Sequence, residues 1–415
     1  MIAPLRAPHP TRGSGAWGPV SRRDILVGLM LGCAVVLSLA GRVQLRTIGT
    51  AEYADPGWDR HLYIAMADSE PFDFGLAPYN RRVLVPAVAR MLPGSLQTGF
   101  AATTIGFAVM AVAAIYLLAR ARGQSGFVSL IGVLFVASLG WGLKYSIADF
   151  WIPDAAVLAF VTVGFFFAVR RQSVPFAVCL AAGVLAKESV IFVAPLFYTL
   201  NTQRVWDRRL MIVTGVVAAP ALLVLFVLRL VIPGQNDDLG YLATLPAVIS
   251  RFPEIYANYD YWSLLLDIGY RQRLLGIDGP TLLEATIRPF GLLLLTGAFI
   301  SLRRHWRFAV RLSPFFVLVY AQLLFARDTE RLLVLAAPGL SCLAMLGIED
   351  FAERSRSICI VLLAVSLLAF GQALVQPNSF DIRLRQQAVV LACATPVLIF
   401  LWWRARPEPG PSDAV

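Results

Sequence analysis

A chain of 415 residues that is 58% hydrophobic, 15% charged and of mean hydropathy +0.69 does not fold as a water-soluble globule. Its composition is that of a polytopic, all-α membrane protein. The formal net charge of +10 would suggest nucleic acid in a soluble chain, but here the basic residues follow a membrane rule and nucleic acid is not needed.

Residues 1–23 and 404–415 are rich in Pro, Gly and Ser and read as disordered ends, with 24–403 a single transmembrane domain. Apolar runs close to the bilayer-spanning length of about 20 residues recur at 24–41, 100–119, 126–143, 153–169, 210–232, 286–302, 308–325, 332–347, 357–375 and 387–403, so about ten spans are expected. Ser38-Leu39-Ala40 mimics a signal-peptide cleavage site, but the spans that follow favour an uncleaved anchor. Arginines gather at alternate span ends, at 22/23, 120/122, 170/171, 204/208/209, 303/304/307, 354/356 and 404/406. The positive-inside rule then sets both termini in the cytoplasm and loops 42–99 and 233–285 outside.

The first outward loop concentrates acids, aromatics and a twin arginine. Asp55 precedes Pro56 and suits a helix N-cap. Asp59 lies a turn further in, with Tyr63 one turn beyond on the same face, and its best explanation is functional. Asp68, Glu70 and Asp73 surround Pro71 and read as turn and surface residues. Arg81 and Arg82 open an apolar segment too short to cross, which should lie along the outer interface. Outward arginines run against the positive-inside bias, which favours a phosphate clamp over snorkelling to headgroups.

Further along, residues 174–200 are apolar except for Lys187-Glu188, yet arginines flank both ends. A re-entrant or short-helix hairpin with that pair at an intramembrane tip resolves the conflict, the two ions either functional or paired to each other. Asp149 and Asp154 flank a short outward loop, and Asp154 in a first helical turn suits a capping role. The tyrosines of 233–285 either stack on sugars or mark the interfacial belt. Asp328 also suits a cap, with Arg331 its partner. The five cysteines imply no disulfide framework and the three histidines share no ligand spacing. No P-loop, GxGxxG or GxSxG pattern stands in a strand-to-helix context, against an ATP-driven pump or a serine hydrolase.

Trp58-Asp59-x-x-x-Tyr63-Ile64-Ala65, then Pro71-Phe72 and Pro78-Tyr79-x-x-Arg82-x-Leu84-x-Pro86, resembles the first luminal or periplasmic loop of GT-C glycosyltransferases, including the GPI mannosyltransferases. Pro153-Asp154-Ala155, Leu185-Ala186-Lys187-Glu188-Ser189 and Arg327-Asp328-x-x-Arg331-Leu332-Leu333 agree in order and topology. The resemblance implies a GT-C-like membrane fold and transfer of a sugar from a polyprenyl-phosphate carrier to an extracytoplasmic glycan, lipid or protein, with inversion. Asp59 would be the general base. Arg82, with Arg81 and Arg331, would stabilise the leaving phosphate, and Tyr63, Tyr79, Lys187 and Glu188 would line the substrate site. No Asp-Asp, Asp-Glu or Asp-x-Asp pair stands at Asp59, which leaves a divalent metal open. A bacterial inner membrane is the expected location. The alternatives are a flippase or transporter of lipid-linked sugars and a polysaccharide polymerase or ligase. Asp59 in a helical outer loop argues for the enzyme, because a transporter does not require it.

Overall fold

The structure, a computed structural model, describes residues 20–45, 58–68, 79–202, 204, 206–232, 279–324, 329–375, 380 and 383–404, which are helical or in turns and irregular connections, with no strand among them. In chain order the helices are α1 (Arg22–Ala40), α2 (Trp58–Asp68), α3 (Leu84–Met91), α4 (Leu96–Ala121), α5 (Gly126–Ala137), α6 (Tyr145–Ala148), α7 (Asp154–Val169), α8 (Ser173–Ala186), α9 (Ala194–Thr199), α10 (Arg208–Val231), α11 (Gly279–Ala321), α12 (Thr329–Leu333), α13 (Ala337–Ala352), α14 (Arg356–Val375) and α15 (Leu384–Arg404). Several long helices begin on side-chain caps. Ser21 and Asp24 form a capping box, and Ser95, Ser125 and Asp207 accept from the backbone N–H groups of Thr98, Val128 and Leu210. First-turn N–H groups lack helical acceptors, and an apolar solvent offers none, so these caps fix where the helices begin. Helices α4, α7 and α13 form the centre, while α10 and α15 turn mostly apolar side chains outward.

The expected ten spans are not met helix for helix. Among the described residues seven helices are long and apolar enough to cross a bilayer, or eight if α5 and the segment Gly140–Ala148 that contains α6, bent by 58° at the break between them, make one span. Helix α7, with 16 residues, rises only about 24 Å, short of the ~30 Å apolar thickness. Helix α11 runs as one element through both expected spans 286–302 and 308–325, yet it folds back on itself. Tyr320 donates to Thr286 Oγ1 at 3.2 Å although 34 residues separate them, a distance of about 51 Å along a straight helix. The reversal follows His305 (φ −113°, ψ 26°), so α11 comprises two antiparallel legs. Helix α13 runs beside both: Gly347 meets Ser301 and Asp350 meets His305 on the first leg, and Gly339 meets Phe316 on the second.

Residues 173–201 form a hairpin. Arg171 Nε donates to Asn201 Oδ1 at 2.9 Å and Phe176 lies 5.1 Å from Phe197, so the two ends meet. Between them Lys187 is extended and Glu188–Val193 is a 3₁₀ turn. Close approach at the tip requires Gly183, where a Cβ would come within 2.5 Å of Val190 Cγ1. The tip reaches Asp154, the first residue of α7, because α7 is nearly as short as the hairpin arms beside it.

Helix α3 turns into α4 so tightly that a Cβ on Gly99 would fall 2.1 Å from the Ala89 carbonyl oxygen, whereas a Cβ on Gly106 would meet nothing within 4 Å. Backbone cannot yield as a side chain does. Gly99→Ala is therefore expected to lower stability by about 1–3 kcal/mol, while Gly106→Ala leaves it unchanged or raises it by about 0.5–1 kcal/mol. Thermal unfolding of both variants in the same detergent checks the contrast.

Candidate functional site

At the end of the bundle expected to face outward, five segments distant in sequence bring charged side chains together. The first is the turn Tyr79–Arg81, closed by the Arg82 N–H donating to the Tyr79 carbonyl at 2.9 Å. This turn aims Arg82 at the hairpin tip, where Nη2 and Nε donate to the two Glu188 oxygens at 2.7 and 3.1 Å in a bidentate fork. Arg82 Nη1 also donates to the Tyr63 hydroxyl on α2 at 3.1 Å, and its guanidinium lies 5.1 Å from the Tyr79 ring. Tyr79 in turn meets Tyr63 edge to face, 5.9 Å between centroids. Burial alone would depress the Arg82 guanidinium, but the Glu188 carboxylate and the Tyr63 hydroxyl raise it well above the ordinary arginine value, so it is always charged.

Asp154 is the second node. Arg331 on α12 donates through Nε to its Oδ2 at 2.8 Å, and Lys187 Nζ lies 3.7 Å from Oδ1. A third node joins Arg60 on α2 to the buried Asp149 at 2.8 Å, with the Tyr145 hydroxyl 3.4 Å from the other oxygen. The Tyr145 ring lies 5.3 Å from the Arg331 guanidinium and packs against Trp141 and Phe380, linking the second and third nodes. Trp141, Ser146, Asp154, Lys187 and Arg331 line a narrow pocket of about 10 Å³, room for roughly one water.

Three sequence-based expectations change here, and a fourth falls outside the described residues. Asp154 is not a cap, since Pro153 holds the cap position and no side chain accepts there; the carboxylate bridges two cations instead. Arg331, expected beside Asp328, donates to Asp154, and Asp328 itself lies outside the described residues, so their pairing is left as an expectation. Lys187 and Glu188 do not simply pair with each other, because the extended backbone at Lys187 sends them to Asp154 and Arg82. Arg82 is not an open clamp, since Glu188 already fills its fork. Tyr63, Tyr79, Arg82, Lys187, Glu188, Arg331 and Asp154 do converge, with Asp149 one step aside. Asp59 belongs to α2 and its side chain lies outside the described residues, as do Asp55 and the tyrosine-rich stretch 233–278.

Sequence reading missed Arg60, Trp141 and Tyr145. Arg60 adjoins Asp59 and signals nothing by itself, and the two aromatics sit in or beside an expected span, where such residues ordinarily mark core or interface. Among the described residues no three His, Cys, Asp or Glu side chains are grouped to hold a metal. Asp149, Asp154 and Glu188 each already hold a basic side chain, which a divalent cation would have to displace.

No family model matches the chain, and no curated protein matches it. Among solved structures, the oligosaccharyltransferase of Archaeoglobus fulgidus in its apo form is similar with a TM-score of 0.50 and 14% identity, over 94% of this chain and 57% of that one. A second, the archaeal oligosaccharyltransferase AglB from Archaeoglobus fulgidus in complex with an inhibitory peptide and a dolichol-phosphate, gives a TM-score of 0.47 at 14% identity, over 93% and 56%. This chain thus spans somewhat over half the length of those proteins. The likeness is one of fold alone: the helices share the architecture of the first of these structures.

If the Arg82–Glu188 fork ties the first loop to the hairpin, the single variant Glu188→Met should be less stable than the double variant Arg82→Met/Glu188→Met. The single change strands a guanidinium that is only 12% exposed. The expected coupling is about 1–3 kcal/mol, read from thermal unfolding of the four proteins of the double-mutant cycle.

Proposed function

We propose that the chain is a membrane glycosyltransferase that moves a sugar from a polyprenyl-phosphate carrier to an extracytoplasmic glycan, lipid or protein acceptor. The observation that carries this reading is the convergence of Arg82, Lys187 and Arg331 at the expected outward end, on a helical architecture similar to that of an oligosaccharyltransferase. Arg82 holds Glu188, and Lys187 and Arg331 both approach Asp154. Basic side chains gathered in this way suit an anionic leaving group.

In the proposed reaction the acceptor hydroxyl attacks the anomeric carbon as the bond to the carrier phosphate breaks. The hydroxyl proton passes to a carboxylate and the phosphate departs with the bonding electron pair. Asp59 is the proposed base. Glu188 and Asp154 are poorer ones, because their oxygens already accept from arginines that stabilise the ionised form. The fixed separate partners of Lys187 and Glu188 favour an enzyme over a transporter, which needs charges that rearrange along a path. We assign the protein to a bacterial inner membrane, both termini in the cytoplasm.

The test is sugar transfer from a polyprenyl-phosphate-linked donor by purified protein in liposomes. Asp59→Asn is nearly isosteric and should insert at wild-type levels yet lose about 10²–10⁴-fold in rate. Full transfer by Asp59→Asn would remove Asp59 from the chemistry. A wild-type protein that carries lipid-linked sugar across the bilayer without making a glycosidic bond would replace the enzyme with a transporter.

A further inference from the structure

Two arginines near this cluster take no part in its ion pairs. Arg81 is half-buried, and its Nε is enclosed without a hydrogen-bond partner. A buried ionised donor left unmade is costly, so its persistence points to a ligand. Arg229 stands in the last turn of α10 and is the sole charged residue from Met211 to Val231. It is exposed, and Phe226, Val227, Leu230 and Val231 around it are exposed apolar side chains. Among the described residues neither arginine forms an ion pair.

The fold brings the two together. Arg81 adjoins Arg82, which the hairpin tip holds through Glu188, and α10 packs along α8 and the turn that follows it. Burial and the Arg229 charge both depress the Arg81 guanidinium, while Glu188 raises it, so the two like charges lie within electrostatic reach. Two guanidiniums that repel one another at the rim of an apolar surface form a receptor for an anion whose remainder is apolar.

We propose that Arg81 and Arg229 form a lateral docking site for the phosphate of an isoprenoid lipid, whose chain lies along the exposed apolar face of α10. The site is separate from the Arg82, Asp154 and Arg331 nodes, and a headgroup would reach it from within the bilayer before passing to them. The assignment to a carrier lipid rests on the glycosyltransferase reading; the lipid-phosphate chemistry stands without it. Snorkelling explains Arg229 alone, but not the partly buried Arg81 whose Nε has no partner.

The probe is farnesyl monophosphate, with dioleoyl-phosphatidylglycerol and inorganic phosphate as the comparison ligands. Binding to the purified full-length protein in nanodiscs of zwitterionic lipid is followed by native mass spectrometry and thermal shift. Wild type should bind farnesyl phosphate in preference to both comparison ligands. Arg81→Gln and Arg229→Gln should each weaken binding by about ten- to a hundredfold, and Arg229→Lys should restore part of it, which separates lost charge from lost folding. Unchanged binding in both Gln variants overturns the site. Equal binding of phosphatidylglycerol reduces it to a general headgroup contact and overturns the docking of a carrier. The two readings fail separately: absent sugar transfer with arginine-dependent binding defeats the enzyme alone, and intact transfer with arginine-independent binding defeats this site alone.

Discussion

Compensation of charge in apolar surroundings governs this molecule. Asp154, Lys187 and Arg331 come from three segments separated by up to 177 residues, and Arg82 and Glu188 from two separated by 106. None of these groups is tolerable near a bilayer without its partners, because desolvation costs several kcal/mol per ion. Each pair therefore acts as a constraint. The first loop must come down onto the hairpin tip, the tip must reach the start of α7, and α12 must close over both. The cost of burial turns a handful of ions into the device that sets the relative positions of four otherwise apolar segments.

Short helices make room for that junction. Helix α7 and the hairpin arms are all below the length of a full crossing, so their ends meet one another at the same depth. What would be a lipid-filled gap above them is capped by α2, α3 and the Tyr79–Arg81 turn, which carry the polar groups of the first loop. Arg60 on α2 reaches Asp149, and Tyr63, one turn on, reaches Arg82, so a single short helix touches two of the three nodes. Asp59 stands on that same helix, next to Arg60. A chemical role for the loop and a structural role for its neighbours are thus not competing explanations. The ions that anchor α2 would also hold a base on it in a fixed place, which catalysis requires.

The site's charge balance follows from how the partners are distributed. The acids are satisfied before the bases are: Asp154 takes two cations and Glu188 one fork, while Arg81 and Arg229 are left without carboxylates among the described residues.

Sequence by itself determined the solvent, the all-helical class, most of the span positions and the hairpin, because these depend on local apolar length and on which ends carry arginine. It also found most of the cluster, since charged residues at the edges of apolar runs have few bland explanations: Tyr63, Tyr79, Arg82, Lys187, Glu188, Asp154 and Arg331 were all legible. It did not find who pairs with whom. Adjacent Lys187 and Glu188 point to different partners because of one extended residue, and Asp154 trades a local cap for two distant cations. Arg60, Trp141 and Tyr145 carried no local signal, and only the packing of remote helices gives them a place in the site. Side-chain pairing is decided by tertiary approach, since Coulomb and hydrogen-bond energies fall off over a few ångströms while sequence spacing reports only one helix at a time.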